Sequence, residues 1–131
     1  MRSQSYPIVI SGLLLMTASL ALAQSSTATA GSALKGKELY DARCSACHSV
    51  DDNRVGPMHL GVFGRKAGGV KGYPYSDALN KSKVVWNRDT LTVWLTNPEM
   101  LIPGQRMGYV MDNAKDREDV VAYLATLKAI K

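Results

Sequence analysis

Cysteine, histidine and phenylalanine are all scarce in this chain of 131 residues, which holds two, two and one of them respectively. Two thiols make no disulfide framework, and a bridge between Cys44 and Cys47 would close so small a loop that it would constrain the unfolded chain weakly. A structural zinc site usually takes four ligands from two separated pairs, and beside the two cysteines only His48 and His59 are available here. No segment alternates polar and apolar residues over the length of a strand, and no internal repeat is present, so sheet and solenoid architectures are disfavoured. The net charge of +5 is basic, but there is no Lys/Arg stripe with interleaved aromatics, which argues against nucleic acid as a partner. The one long apolar run, Ile8 to Leu22, is short for a bilayer span.

That run has a different explanation. Arg2 precedes it, Ser11, Gly12, Thr17 and Ser19 interrupt it, and Ala21-Leu22-Ala23 closes it in the small-residue pattern of a signal-peptidase site. Residues 1–23 are therefore expected to be a signal peptide cleaved after Ala23, with an uncleaved membrane anchor as the alternative. Residues 24–32, mostly Ser, Thr, Ala and Gly, are expected to form a flexible tail, and 33–131 one domain.

Within that domain the periodicity predicts helices joined by long connections. Ala33–Arg43 reads as a helix, with Gly36 leaving room for another helix to approach. Ser76 caps a helical turn reaching Lys81, and Asp89 is expected to cap Thr90–Thr96, which Pro98 stops. The segment Leu101–Val110 reads as a loop. The final helix begins at Asn113 or Asp116, with Val120, Tyr123, Leu124 and Leu127 on its apolar side and Lys115, Asp116, Arg117 and Glu118 on its solvated side. The class is all-α. Loops this long in so small a domain need something large to pack against.

The residues Cys44-Ser45-Ala46-Cys47-His48 supply a candidate, because C-x-x-C-H is the attachment signature of a c-type haem. Two thiols three residues apart on a helical turn match the two vinyl groups along one porphyrin edge, and the adjacent histidine projects under the ring. A thioredoxin-like redox pair would follow a strand and open a helix, whereas this motif closes a helix and runs into a loop. A zinc ion would have to share His48 with the thiolate directly beside it.

Beyond the motif, the stretches GKELYDARCSACHSV, VGPMHLGVFGRKAG, GYPYSDAL, KVVWN, TNPEMLIPGQRM and DREDVVAYL occur in an order and at spacings that resemble class I cytochromes c, the mitochondrial carrier and its soluble bacterial relatives. The resemblance implies three to five helices and long loops wrapped around one covalently bound haem c. It implies thioethers at Cys44 and Cys47, His48 as proximal iron ligand, and Pro57 as the carbonyl that orients His48. Arg65, Tyr75 and Trp86 would be partners of the haem propionates, and Met107 the distal ligand. Gly36, Tyr40, Val120 and Tyr123 would form the crossing of the first and last helices. A soft, neutral thioether favours ferrous iron, which suits Met107 to that position. Met58, Met100 and Met111 read as packing, and Tyr109 matches an aromatic near the exposed haem edge.

Some positions depart from the family pattern. Trp94 stands where mitochondrial proteins carry a tyrosine near the distal sulfur, and an indole N–H donates but does not accept. Gln105 replaces a threonine, Leu79 an asparagine, and His59 a residue that is often leucine, where it reads as a partly buried, locally hydrogen-bonded histidine. The expected function is a monomeric, periplasmic one-electron shuttle, not an enzyme, that meets acidic docking patches on redox proteins and does not stay in a membrane. The alternatives are a cytochrome subunit bound tightly to one dehydrogenase and a gas-binding haem protein from which Met107 departs.

Overall fold

The computed structural model describes residues 30–129. The expected signal peptide and residues 24–29 of the expected tail lie outside the described residues. Five helices follow in order: α1 Ala33–Arg43, α2 Asp77–Lys81, α3 Arg88–Thr96, α4 Pro98–Leu101 and α5 Ala114–Leu124. Among the described residues, extended pairing amounts to one isolated antiparallel bridge, Lys66 with Val85. The all-α class expected from the sequence is what the chain adopts.

The first and last helices form the frame. α1 starts where the Ser32 side chain accepts the Lys35 N–H, and α5 where the Asn113 side chain accepts the Asp116 N–H. Asn113, rather than Asp116, is thus the cap. The helices cross at Gly36, where a Cβ would lie 1.9 Å from the backbone oxygen of Asp119 and 2.9 Å from Tyr123 Cβ. Tyr40 meets Tyr123 edge-on at 5.2 Å, and Val120, Val121 and Leu124 are buried beneath. Each such buried side chain contributes about 1.5–3 kcal/mol.

Asp119 locks the crossing. Its Oδ1 accepts both the Lys115 ammonium and the Ser32 N–H at 2.6 Å. The bond from Lys115 holds the carboxyl below the usual carboxylate range despite its burial, with the Ser32 N–H acting in the same direction. The start of the described chain is in this way tied to α5.

The middle helices correct the sequence reading at two places. α3 is capped by Asn87, not Asp89: Asn87 accepts the Thr90 N–H while the Thr90 hydroxyl accepts the Asn87 N–H. Such a reciprocal box satisfies two helix-end donors, and Asp89 falls inside the first turn, where its charge suits the dipole. Pro98 does end α3, but it also opens α4 as its first residue, a position where its missing N–H costs nothing. That four-residue helix was not expected. A third difference lies on α5, where Arg117 is not solvated: its guanidinium folds back to donate to the carbonyls of Met111 and Asp112. Asp116 is likewise only half-exposed and pairs with Arg43 at 3.0 Å. Of the methionines read as packing, Met111 is buried, whereas Met100 is 75% exposed.

Val62, Leu79, Trp86, Leu91, Trp94, Leu95, Val120 and Leu124, all buried, belong to one hydrophobic cluster. They form the walls of an internal space shared by the helices and the long loops.

Replacing Gly36 with alanine pushes α1 off α5 against backbone that has nowhere to retreat. Overpacking of this kind costs about 2–3 kcal/mol, so calorimetry is expected to show Gly36→Ala melting roughly 10 °C or more below the parent. An unchanged midpoint would contradict the crossing described.

Candidate functional site

The space holds about 600 Å³ and is lined mainly by apolar side chains. A cleft of that volume, walled by apolar side chains and open to solvent along one edge, is in the size range of cofactor pockets and suits a large apolar occupant. Cys44, Cys47, His48, Pro57, Arg65, Tyr75, Trp86, Trp94 and Met107, each singled out in the sequence, all line it.

The cysteines sit where α1 unwinds. Cys44 N–H still donates to the Tyr40 carbonyl, and the N–H groups of Cys47 and His48 both turn back to the Cys44 carbonyl at 3.1 and 2.9 Å. This tight turn carries both sulfurs to one cavity wall. Cys44 is half-buried, Cys47 exposed, and both thiols are free. Burial pushes the Cys44 thiol up to about 11, so in the protein as described it is a neutral group on an apolar wall.

His48 is oriented by its surroundings. Its Nδ1 lies 2.8 Å from the Pro57 carbonyl oxygen. A carbonyl only accepts, so Nδ1 carries the proton and Nε2 keeps its lone pair free. Burial lowers the imidazole pKa, which holds the ring neutral, the state a metal ligand requires. Gly56 makes this geometry possible, because a Cβ there would sit 2.2 Å from His48 Cε1. Sequence reasoning passed over Gly56, although its place directly before Pro57 was a usable signal.

His59 packs behind His48. The two rings stack with centroids 4.2 Å apart and planes 19° from parallel. His59 Nδ1 lies 3.0 Å from the Tyr40 hydroxyl, and Tyr40 packs edge-on against the ring. Burial, with His48 and Arg65 nearby, lowers the His59 pKa to about 3. It is the half-buried, locally bonded histidine that its position suggested.

Met107 lies on the same cavity, with the Trp94 indole Nε1–H donating to its sulfur at 3.2 Å. Trp94 in turn packs edge-on against Trp86, centroids 5.2 Å apart. Arg65 donates through its two terminal nitrogens to the carbonyls of Leu60 and Met58, both at 2.8 Å, while its Nε is buried without a partner. An orphaned guanidinium N–H on a cavity wall fits an occupant that carries acidic groups. Tyr75 is half-buried on the wall, and burial raises its pKa. The cavity opens to solvent past Val55, Pro74, Arg106 and Gly108, all exposed, with Tyr73 and Tyr109 half-buried beside them. Of the other basic residues, Lys35 and Lys37 are instead paired with Glu38 and Asp41 on the surface of α1.

Thiols, a neutral imidazole, a thioether and an unsatisfied arginine on one apolar cavity fit a covalently attached haem. The comparisons with known proteins agree. Residues 33–128 match the family model described as Cytochrome c. The cytochrome c of Gibberella zeae is 44% identical over 98 residues, covering 72% of this chain and 92% of that protein. Cytochrome c2 of Rhodopila globiformis is 40% identical over 105 residues, covering 78% and 99%. The solved structure of cytochrome cH from Methylobacterium extorquens superposes with a TM-score of 0.70 at 42% identity, covering 73% of this chain and 99% of that one. The chain belongs to the cytochrome c family of electron carriers, with the class I fold and one covalent haem c, whose attachment motif it carries at Cys44, Cys47 and His48.

Proposed function

We propose that this chain is an exported one-electron shuttle in which Cys44 and Cys47 form the haem thioethers and His48 and Met107 occupy the two axial positions. The observation that carries this reading is that the free Nε2 of His48 and the sulfur of Met107 belong to one apolar cavity, each held by its own hydrogen bond. The haem, once attached, supplies the one-electron change between ferric and ferrous iron.

The chain's own residues do the rest. Pro57 fixes the tautomer and rotation of His48 and raises its basicity. Trp94 draws electron density from the Met107 sulfur, weakening it as a donor to ferric iron and favouring the ferrous state. Arg65 offers its unpaired Nε to an acidic group of the occupant, with Tyr75 and Trp86 on the same wall. The apolar walls exclude water, which limits reorganisation as the charge changes. A haem whose iron was held by both His48 and Met107 would leave no ligand site open to oxygen or peroxide, which supports a carrier rather than an enzyme.

The leader at 1–23 supports delivery to the bacterial periplasm and removal of the signal peptide, leaving a monomeric domain that no longer holds to the membrane. Among the described residues no helix is long and apolar enough to cross a membrane. Arg106 at the cavity mouth and the overall basic charge support brief encounters with acidic patches on redox partners.

Absorption spectra test the ligands. The oxidised protein is expected to show the weak far-red sulfur-to-iron band and a low-spin Soret region, and Met107→Ala is expected to lose that band and turn high-spin. A band that survives in Met107→Ala would remove this methionine from the iron. Potentiometry tests Trp94: Trp94→Phe loses one donor to sulfur, a hydrogen bond worth at most about 1.5 kcal/mol. Its midpoint is expected to fall, by up to about 60 mV if the bond acts in the ferrous state alone, since a one-electron couple moves about 59 mV per tenfold change. A rise would reverse the assigned role. Electron transfer to an acidic redox partner is expected to slow as salt is raised through the range where the Debye length shrinks from about 30 to 10 Å; a flat rate would count against electrostatic steering.

A further inference from the structure

The loop that carries Met107 has firm ends. Ile102 is buried with its N–H on the Pro98 carbonyl, and the Met111 N–H donates to Leu95 at 2.7 Å. Between those anchors the chain has no regular structure, yet a distal ligand must meet the iron at a fixed place.

Glu99, on α4, spans the gap. Its Oε1 accepts the Gly104 N–H at 2.8 Å, and its Oε2 accepts the side-chain amide Nε2–H of Gln105 at 3.2 Å. The other end of that same amide, the Gln105 Oε1, accepts the N–H of Met107. The direction of this relay is fixed by chemistry. A carboxylate only accepts and a backbone N–H only donates, so the Gln105 amide has one orientation that satisfies both neighbours. Gly104 turns the loop at φ +84°, which brings its N–H round to the carboxylate. Glu99 is itself set by α4, where Asn97 accepts the Glu99 N–H at 3.1 Å and Pro98 holds the first helical position.

We infer that Glu99 is a positioning residue for the distal ligand: through Gly104 and Gln105 its carboxylate holds the Met107 backbone in place, and so resists replacement of the Met107 sulfur by an outside ligand. The inference rests on Met107 as an axial ligand, and it concerns a residue that touches neither sulfur nor cavity. The neighbouring Met100 side chain, 75% exposed on the same short helix, takes no part in the relay.

The test uses the haem-loaded protein, with imidazole as the competing ligand and the far-red band as the readout. Exchange of the Met107 amide hydrogen, followed by NMR, is the second readout. Glu99→Ala is expected to bind imidazole about tenfold more tightly than the parent and to exchange the Met107 amide about tenfold faster, the scale of one charge-assisted hydrogen bond. Glu99→Gln keeps a single acceptor oxygen and is expected to fall between the two. Gln105→Ala is expected to match Glu99→Ala, and the double variant to add little, because both cut one relay. Met100→Ala is the control for disturbance of α4 and should behave as the parent does. Parent-like imidazole binding and amide exchange in Glu99→Ala would overturn the inference, as would an equal effect from Met100→Ala. If the parent itself lacks the far-red band, the ligand assignment has failed instead, and the Met107 amide alone then decides whether Glu99 holds the loop.

Discussion

An apolar space of about 600 Å³ sits where a chain of this size would otherwise keep its core, and the polypeptide is arranged as a wall around it. The side chains that pack on each other in its hydrophobic cluster also present one apolar side to that space. Long connections become tolerable under that constraint, because a loop laid against a large rigid ring gains what a helix gains from its neighbour. The residues proposed to meet the haem are then few.

His48 and Met107, proposed above as the two iron ligands, are held differently. Around His48 the control is steric and directional: a missing Cβ at Gly56, a carbonyl at Pro57 and a stacked His59 leave the imidazole one rotation and one tautomer. Around Met107 the backbone is irregular, and control comes from hydrogen bonds that reach the methionine from outside, Trp94 onto the sulfur and Gln105 onto the main chain. A histidine has a second nitrogen by which it can be held, whereas a thioether has none. Its protein must therefore grip the chain around it.

How much of this was legible in the sequence follows from the range of the interactions involved. Cys44, Cys47 and His48 are neighbours in the chain and announce themselves by spacing, and the apolar periods of α1 and α5 show where the frame lies. Met107, Arg65 and Trp86 were legible only through likeness to a family, since no local pattern ties them to a motif that ends well before each of them in the chain. What was missed is short or reciprocal. α4 has too few residues to show a period, and the Asn87–Thr90 box outcompetes Asp89 by a pairing of two side chains that a single-residue preference does not weigh. Arg117 looked like surface because its charge was read without the loop carbonyls that curl within its reach. Glu99 gave no signal at all, being an exposed carboxylate whose partners exist only once the loop has folded.

The two atoms that confine Gly36 most tightly belong to the main chain of Asp119, with Tyr123 Cβ a little farther off. In a core lined by leucines an enlarged residue at one position can be relieved by a smaller one opposite, and sequences drift along such compensating pairs. Backbone cannot be trimmed, so no second substitution opposite Gly36 restores the lost room. The helix crossing thus admits no larger residue at this position, whereas a purely apolar wall residue such as Leu91 or Leu95 can be answered by a change in the side chain it meets.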